Sequence, residues 1–499
     1  MKGIRSLALA VLVATASPVV AQEAVPASLS LEEALEIARS SNPGFQQARN
    51  DEALADWNVR QAWGALMPSA NASIGASWEG AGEQRFGSLT LGDLGFGDQP
   101  SYYYSNYNVG LSYSLTWAEI LGPKQSNVER RSTIAQIDVA ESNLTTQVTS
   151  AYVELLRQVD AVRIAEQQLA NNQLNLRLAQ GQLEVGSVTP IDVGQAEVQV
   201  GRAEVTLLQA RNFEATARMR LLQFLGLPVQ QQFEPSTRFE LTEPTWDLDA
   251  LIEMARSRNP ELIARRFSSE AAGIGVSAAK SEYFPSLNIS TGWSGFTREA
   301  SSTASQIAQA QSQVASTIAS CVRTNDLYSR LANPLPTIDC GQFAFTDDQR
   351  AAIISANDQF PFGFVGSPPS IGVQLSIPIF QGLSRQRNLE AARLQRDDLV
   401  EQVREQELAI EADLAIGLAN AETLYQSALL EQRNRELADQ QLRLARERYQ
   451  LGAATFIELV DAQTVLAQAD ADRIGAIFAY HDSITTLEGL VGIPLRFQP

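Results

Sequence analysis

The side chains in this sequence best placed to do chemistry are acids just inside helix starts. They stand in two stretches that read alike, EVGSVTPIDVGQAEVQVGRA over residues 184–203 and YQLGAATFIELVDAQTVLAQA over residues 449–469. In each, a helical pattern stops at a glycine, Gly186 or Gly452, and a new apolar periodicity begins at Ile191 or Phe456. Glycine just past a helix end, with Thr or Pro opening the next helix, is expected stop and start chemistry. The new helix then carries Asp192 in the first copy and Glu458 with Asp461 in the second. Glu458 and Asp461 are three apart and so share one helix face. Carboxylates at such places can gather and select cations; they can equally complement a helix N-terminus and face water.

Other chemistry is poorly represented. The formal charge of −19 and the single histidine, His481, argue against nucleic-acid binding and against histidine-rich metal or acid–base work. No phosphate-cradling glycine loop, cysteine–histidine or serine–histidine constellation, or metal-ligand cluster stands out, so neither an enzyme nor a cofactor is expected. The two cysteines, Cys321 and Cys340, lie in one loop-like region. In an exported chain such a pair reads as a disulfide, the other reading being two free thiols.

Export is expected from the N-terminus. Lys2 and Arg5 precede an apolar run over residues 7–20, and Val19, Val20 and Ala21 form a small-residue cleavage pattern, which predicts a signal peptide over residues 1–21. No cysteine follows the cut, so no lipid anchor is expected. Beyond it no run of about 18 apolar residues occurs, and any membrane insertion must use strands.

The elements that hold the two acidic turns come as an internal repeat. LSLEEALEIARSSNPGFQQAR over residues 29–49 matches WDLDALIEMARSRNPELIARR over residues 246–266, and the phrases LLQFLGLPV and LEGLVGIPL close the two halves. The halves are residues 22–229 and 245–499, joined by a linker over residues 230–244. Each predicts an opening helix, over residues 31–66 and 248–283, whose first turn is acidic. Two segments of period two follow in each half. Ala70, Ala72, Ile74, Ala76 and Trp78 alternate with small or polar residues, as do Val109, Leu111, Tyr113 and Leu115; the second half repeats this at Leu287, Ile289, Thr291 and Trp293 and at Ile371, Val373, Leu375, Ile377 and Ile379.

Four strands of this pattern suit an outer-membrane wall or a half-buried sheet of a soluble domain. Aromatic residues gathered in and beside them, among them Trp78, Tyr102, Tyr103, Tyr107, Trp117 and Trp293, favour the membrane reading. The loop inside the first strand pair, over residues 79–106, is Gly/Tyr-rich. The second is a long insert over residues 297–370 holding both cysteines, expected as an extracellular loop. Helices over residues 122–185 and 382–451 follow, each reaching roughly 90–100 Å at the α-helical rise. The second shows a coiled-coil seam at Leu399, Val403, Ile410, Leu414, Ala421, Leu424 and Ala428. Descending partners over residues 190–225 and 455–490 complete two hairpins, and the predicted shape is a rod or tube. Four strands are fewer than the roughly eight of the smallest closed barrel, so the sheet must close with strands of other copies.

The order of NP-helix, (F/M)PS-strand, strand, long helix, glycine turn and L-x-G-(L/I)-P, with the phrase SIPIFQGLSRQRNLEAAR over residues 376–393, resembles the TolC-like outer-membrane efflux and secretion channels. The resemblance implies an α+β membrane protein. In it a homotrimer builds one 12-stranded outer-membrane β-barrel, four strands per chain, continuous with a long periplasmic α-helical barrel. It implies a passive exit duct of a tripartite efflux or type I secretion system, partnered by a periplasmic adaptor and an inner-membrane pump. The alternative is a periplasmic coiled-coil adaptor or scaffold without a barrel.

Carried onto this sequence, the resemblance makes Asp192 and Tyr449 tip residues of the closed aperture and Glu458 and Asp461 its acidic ring. The family's tip arginine falls on Ala454, so that link is absent. Adaptor contacts are expected at Gly186, Ser187 and Val188 and at Gly452, Ala453 and Ala454, where small residues admit another hairpin; plain turn formation explains the glycines as well.

Overall fold

A computed structural model describes residues 26–82, 85–90 and 100–496. The expected signal peptide lies outside the described residues. In chain order, β1 (Ser28–Leu29) leads to α1 (Leu31–Ser41), α2 (Pro43–Gly64) and β2 (Ser69–Glu79). A small hairpin of β3 (Arg85–Phe86) and β4 (Leu89–Thr90) precedes β5 (Tyr102–Leu115). The long helices α3 (Trp117–Glu184) and α4 (Pro190–Leu225) follow, and then β6 (Glu234–Pro235). The second half runs α5 (Leu248–Arg258), α6 (Pro260–Ser281), β7 (Ser286–Ala300), α7 (Ala304–Ser329), α8 (Asp347–Asn357), β8 (Val365–Gly366), β9 (Ser370–Ser376), α9 (Ser384–Gln450) and α10 (Phe456–Val491). These elements form two compact units, and each draws on both halves of the sequence.

The first unit holds most of the helical residues. Its opening helices, expected as single pieces over residues 31–66 and 248–283, are each broken in two. The break falls on Asn42 and Asn259, whose ψ of 118° and 117° are extended, because the ring of the next residue, Pro43 or Pro260, disfavours the helical region. Each asparagine then works in two directions. Its Oδ1 accepts the backbone N–H of Phe45 or Leu262 at 2.9 Å and so caps the second helix, while its Nδ2 donates at 2.8 Å to the carbonyl of Phe224 or Leu490 in the closing phrase. The closing glycines complete this joint. Gly226 and Gly492 are left-handed, at φ 75° and 82°, and a Cβ on either would come within 2.3 Å of the Ser41 carbonyl oxygen or 2.8 Å of that of Arg258. The NP and L-x-G-(L/I)-P motifs, far apart in each half, are thus the two faces of one close contact.

Apolar packing follows the same division. Leu29, Leu31, Ala34, Tyr152, Leu155, Leu221, Leu222 and Leu225 form one core, and Leu251, Leu262, Leu414, Leu418, Tyr480, Ile484 and Leu487 form another. In the α9 seam Ile410, Leu414, Ala421 and Ala428 are buried. The linker is tied to the first core. β1 and β6 pair in parallel, and the buried Tyr152 hydroxyl donates to the Leu29 carbonyl at 2.7 Å while accepting from the Ser236 and Thr237 amides, each at 3.1 Å. Tyr480 does the corresponding work in the second half, donating to the Thr242 carbonyl. His481, beside it, is buried with both ring nitrogens unpartnered and its ring 5.0 Å from that of Phe239.

In the second unit the four expected strands join as one antiparallel sheet in the order β2, β5, β7, β9. Register settles which residues share a face. Ala70 lies opposite Leu111, Leu111 opposite Thr291, and Thr291 opposite Ile371; Ala72, Val109 and Trp293 form the next row, and Tyr113, Ile289 and Val373 another. Asn71, Gly110, Gly292 and Ser370 line up on the opposite face, as do Ser73, Asn108 and Ser294. Over these rows one face of the sheet is therefore apolar across all four strands and the other is small and polar, whereas farther along Phe296, opposite Asn106, stands on the polar face. The apolar face is uncovered, with Ile74, Trp78, Ile371, Val373 and Leu375 between 61% and 78% exposed. Among the described residues the outer edges of β2 and β9 have no partner strand.

Two expectations here need correction. The insert over residues 297–370 is not a plain loop: β7 runs on to Ala300, and α7 and α8 occupy much of the rest. Its Ala and Gln residues favour helix, and Ile307, Val314, Ile318 and Cys321 recur at helical spacing. Cys321 on α7 is bonded to Cys340, with Cα atoms 5.8 Å apart. The last strand is also shorter than its alternation, ending at Ser376 because Pro378 has no N–H for the ladder.

Candidate functional site

The turn between α3 and α4 is built by Gly186 at φ 75°, with the Gly186 amide on the Leu183 carbonyl at 3.0 Å and the Ser187 amide on that of Gln182 at 2.8 Å. The turn between α9 and α10 repeats it. Gly452 has φ 67°, its amide reaches the Tyr449 carbonyl at 3.1 Å, and the Ala453 amide reaches that of Arg448 at 2.8 Å. Both are the closed helix ending that only glycine adopts without strain. Thr189 and Thr455 then open the next helices from extended backbone.

The acids sit differently on these equal frames. Asp192 is locked: one carboxylate oxygen accepts from both the amide and the hydroxyl of Thr189, each at 2.8 Å. Those bonds, the amide first, hold its carboxyl below the usual range. Glu458 is held loosely, its amide 3.3 Å and its carboxylate 3.4 Å from the Thr455 hydroxyl, and both it and Asp461 are exposed.

Tyr449, in the last turn of α9, is buried in a core shared by both hairpins, with Ala179, Ala196, Leu442, Phe456, Leu459 and Ala462. Its ring lies 5.9 Å from that of Phe456 and its hydroxyl has no hydrogen-bond partner. Burial first, and then the negative charge of Asp192, push the phenol above its ordinary pKa. Asp192 and Tyr449 are thus close enough to feel each other's charge without a hydrogen bond between them. The hairpins are further joined by Gln182, whose Nε2 donates to the Tyr449 carbonyl at 3.4 Å. Gly186, Ser187, Gly452 and Ala453 are exposed; Val188 and Ala454 are half-buried, Ala454 packing on the shared core.

Sequence reasoning passed over Arg448. One of its Nη atoms donates to the Ala453 carbonyl at 3.2 Å and the other stands 4.0 Å from a Glu458 oxygen. A cation is thus present at the turn although Ala454 holds the expected arginine position. Its signal was a basic residue in the last turn of a helix, where it meets the unpaired carbonyls. Also missed was the ion pair deeper between the hairpins, Arg435 to Asp470 at 3.0 Å, which raises the arginine's pKa.

Comparison with known proteins bears on this geometry. The family described as outer membrane efflux protein matches residues 34–227 and 332–493. The outer membrane protein TolC of Vibrio cholerae serotype O1 is 25% identical over 189 residues, 38% of this chain and 42% of that protein. The chain thus matches less than half the length of that relative. The probable outer membrane lipoprotein SilC of Salmonella typhimurium is 22% identical over 425 residues, 83% of this chain and 75% of that protein. Among solved structures, the outer membrane protein VceC of Vibrio cholerae superposes with a TM-score of 0.66 at 16% identity, covering 93% of this chain and 96% of that one. At that identity the likeness is one of fold.

Proposed function

The chain belongs to the outer membrane efflux protein family and is an outer-membrane protein; from that premise we propose that it is the exit duct of a tripartite efflux or type I secretion system. The observation that carries the reading is the sheet: one face apolar and uncovered across four strands, the other mostly small and polar, and both edges open. Lipid tolerates no unpaired strand edge, so three copies close twelve strands into one wall, apolar side outward. The alternative, a periplasmic adaptor or scaffold, would leave that apolar face in water.

The two halves, with helices of 11 and 22 residues opening each, descend from one repeated unit and supply equal shares of wall and hairpin. The hairpins form a periplasmic tunnel whose mouth lies at the two turns. Glu458 and Asp461 ring that mouth three times over and favour cations, with Asp192 and Tyr449 packing its wall. Gly186, Ser187 and Val188, with Gly452, Ala453 and Ala454, meet the periplasmic adaptor, which opens the mouth when the inner-membrane pump engages. The duct is passive, with no catalysis and no cofactor.

In planar bilayers, Glu458→Ala with Asp461→Ala should lower cation preference and weaken block by trivalent cations. Unchanged conductance would remove both acids from the mouth. In detergent the protein should run as a trimer, and a monodisperse monomer in detergent-free water would end the barrel reading.

A further inference from the structure

Between the hairpins, the four long helices line an open groove of about 520 Å³. Its wall is unusual for a chain of charge −19. Arginine reaches it from α4 as Arg202 and from α9 as Arg435, Arg443 and Arg446, against two acids, Asp439 and Asp470. Both acids are already engaged. Asp470, buried, takes Arg435 at 3.0 Å, and Asp439 takes Arg443 at 2.5 Å. Arg202 and Arg446 remain, and among the described residues neither forms an ion pair.

Arg446 has one long hydrogen bond, from Nη2 to the Asn171 Oδ1 at 3.4 Å, and its Nε is buried with no partner. The Gln463 side-chain amide nitrogen, on α10, is also buried without a partner. Both unpartnered polar atoms in this wall are donors. Leaving buried donors unmade is costly, and two uncompensated cations repel each other unless an acceptor of opposite charge lies between them.

We propose that this groove is a binding site for a compact, doubly charged oxyanion, held by Arg202, Arg446 and Gln463. An anion there satisfies both orphan donors and cancels the two surplus charges. Arg446 presents a fork suited to two oxygens of one group. Because the ligands stand on α4, α9 and α10, and Asn171 on α3 lines the same space, a bound anion ties the two hairpins together. The inference does not depend on the channel reading.

Isothermal titration of the detergent-solubilised full chain with sodium phosphate, sodium sulfate and sodium succinate, each in 0.15 M chloride, tests it. Expected is saturable binding of one anion per chain, with phosphate or sulfate preferred if the site is built for a tetrahedral group and succinate if for carboxylates. Arg446→Gln and the exposed Arg202→Gln should each weaken binding by about tenfold or more, as loss of a charge-assisted bond requires. Gln463→Leu should weaken it less. Circular dichroism checks that each variant keeps its helices, and Arg202→Gln, at an exposed position, is the variant least able to disturb packing. No saturable heat with any of the three anions, or affinity unchanged in folded Arg202→Gln and Arg446→Gln, overturns the proposal. Neither result touches bilayer conductance or the trimer in detergent, which test the duct reading.

Discussion

The two hairpin turns share a backbone and differ in what they hold. Gly186 and Gly452 adopt nearly the same left-handed angle, the same pair of amide bonds closes each helix, and a threonine opens the next. Three residues before the glycine, however, the first turn has half-buried Leu183 and the second has buried Tyr449. In the first turn the acid is consumed by its own helix cap, at 2.8 Å from Thr189. In the second the acid is free to face water and Arg448. Local backbone chemistry repeats because glycine and threonine impose it wherever they stand, whereas side-chain roles depend on what packs alongside. A turn whose acid is spent on its cap serves as a fixed support. A turn whose acids are exposed is the one that can meet ions or a partner.

The largest expected effect sharpens that contrast. Tyr449→Ala removes a ring from the core shared by both hairpins and should cost roughly 3–5 kcal/mol, while Leu183→Ala should cost no more than about half as much. Helical circular dichroism melts would read both, and equal losses would deny that the second turn is the anchored one. The pH response comes next, and most of it lies away from the turns. Burial first, then the nearby Arg496 charge, lowers His481 to about 4. Its neutral form is the folded one, so its share of stability is complete above pH 6.5 and is lost as pH falls toward 4, roughly 3 kcal/mol in all. His481→Gln should flatten melts over that window.

Glycine substitutions test the shared frame. A Cβ at Gly186 or Gly452 meets nothing within 4 Å, so Gly186→Ala and Gly452→Ala should each cost only the left-handed strain, about 1–2 kcal/mol, and the same amount. Unequal losses would break the claim of one backbone. Asp192→Asn addresses the locked acid. Because the folded carboxyl lies below its ordinary value, its stabilisation is full above about pH 4 and is lost as pH falls further. The variant should be weaker at neutral pH by at most about 1 kcal/mol, the share of a charge near a helix N-terminus, and should lose that acid-side slope. Smallest in energy is Arg448→Ala, at most about 1 kcal/mol for a pair this exposed. Its readout is conductance, where the closed-state leak should rise if the Arg448–Glu458 pair steadies the turn.

Much of the architecture was legible because strong local rules were at work. Gly186, Gly452, Thr189 and Thr455 marked both turns, and period-two runs marked four strands within a few residues. Reading failed where a distant partner decided the outcome. Nothing near Asn42 says that its amide will reach Phe224, and without that contact the helix break at Pro43 reads as a kink within one helix. The insert misled because Ser and Gln suit loops and helices alike. Arg446 was hidden for another reason: on a helix crowded with Arg and Glu, no local pattern tells an arginine with a partner from one without.

By itself the sequence determined where the long helices stop at Gly186 and Gly452, which strand residues alternate, and that two acids share a face on the second hairpin, since each depends on neighbours within a turn or two. Tertiary structure alone decided that the four strands form one sheet in which Ala72, Val109 and Trp293, and Leu111, Thr291 and Ile371, share one side. It alone buried Tyr449 with no partner for its hydroxyl, and it alone left two arginines without an ion pair beside one groove. Register, burial and charge balance are sums over segments hundreds of residues apart, and they take values only when the chain has folded.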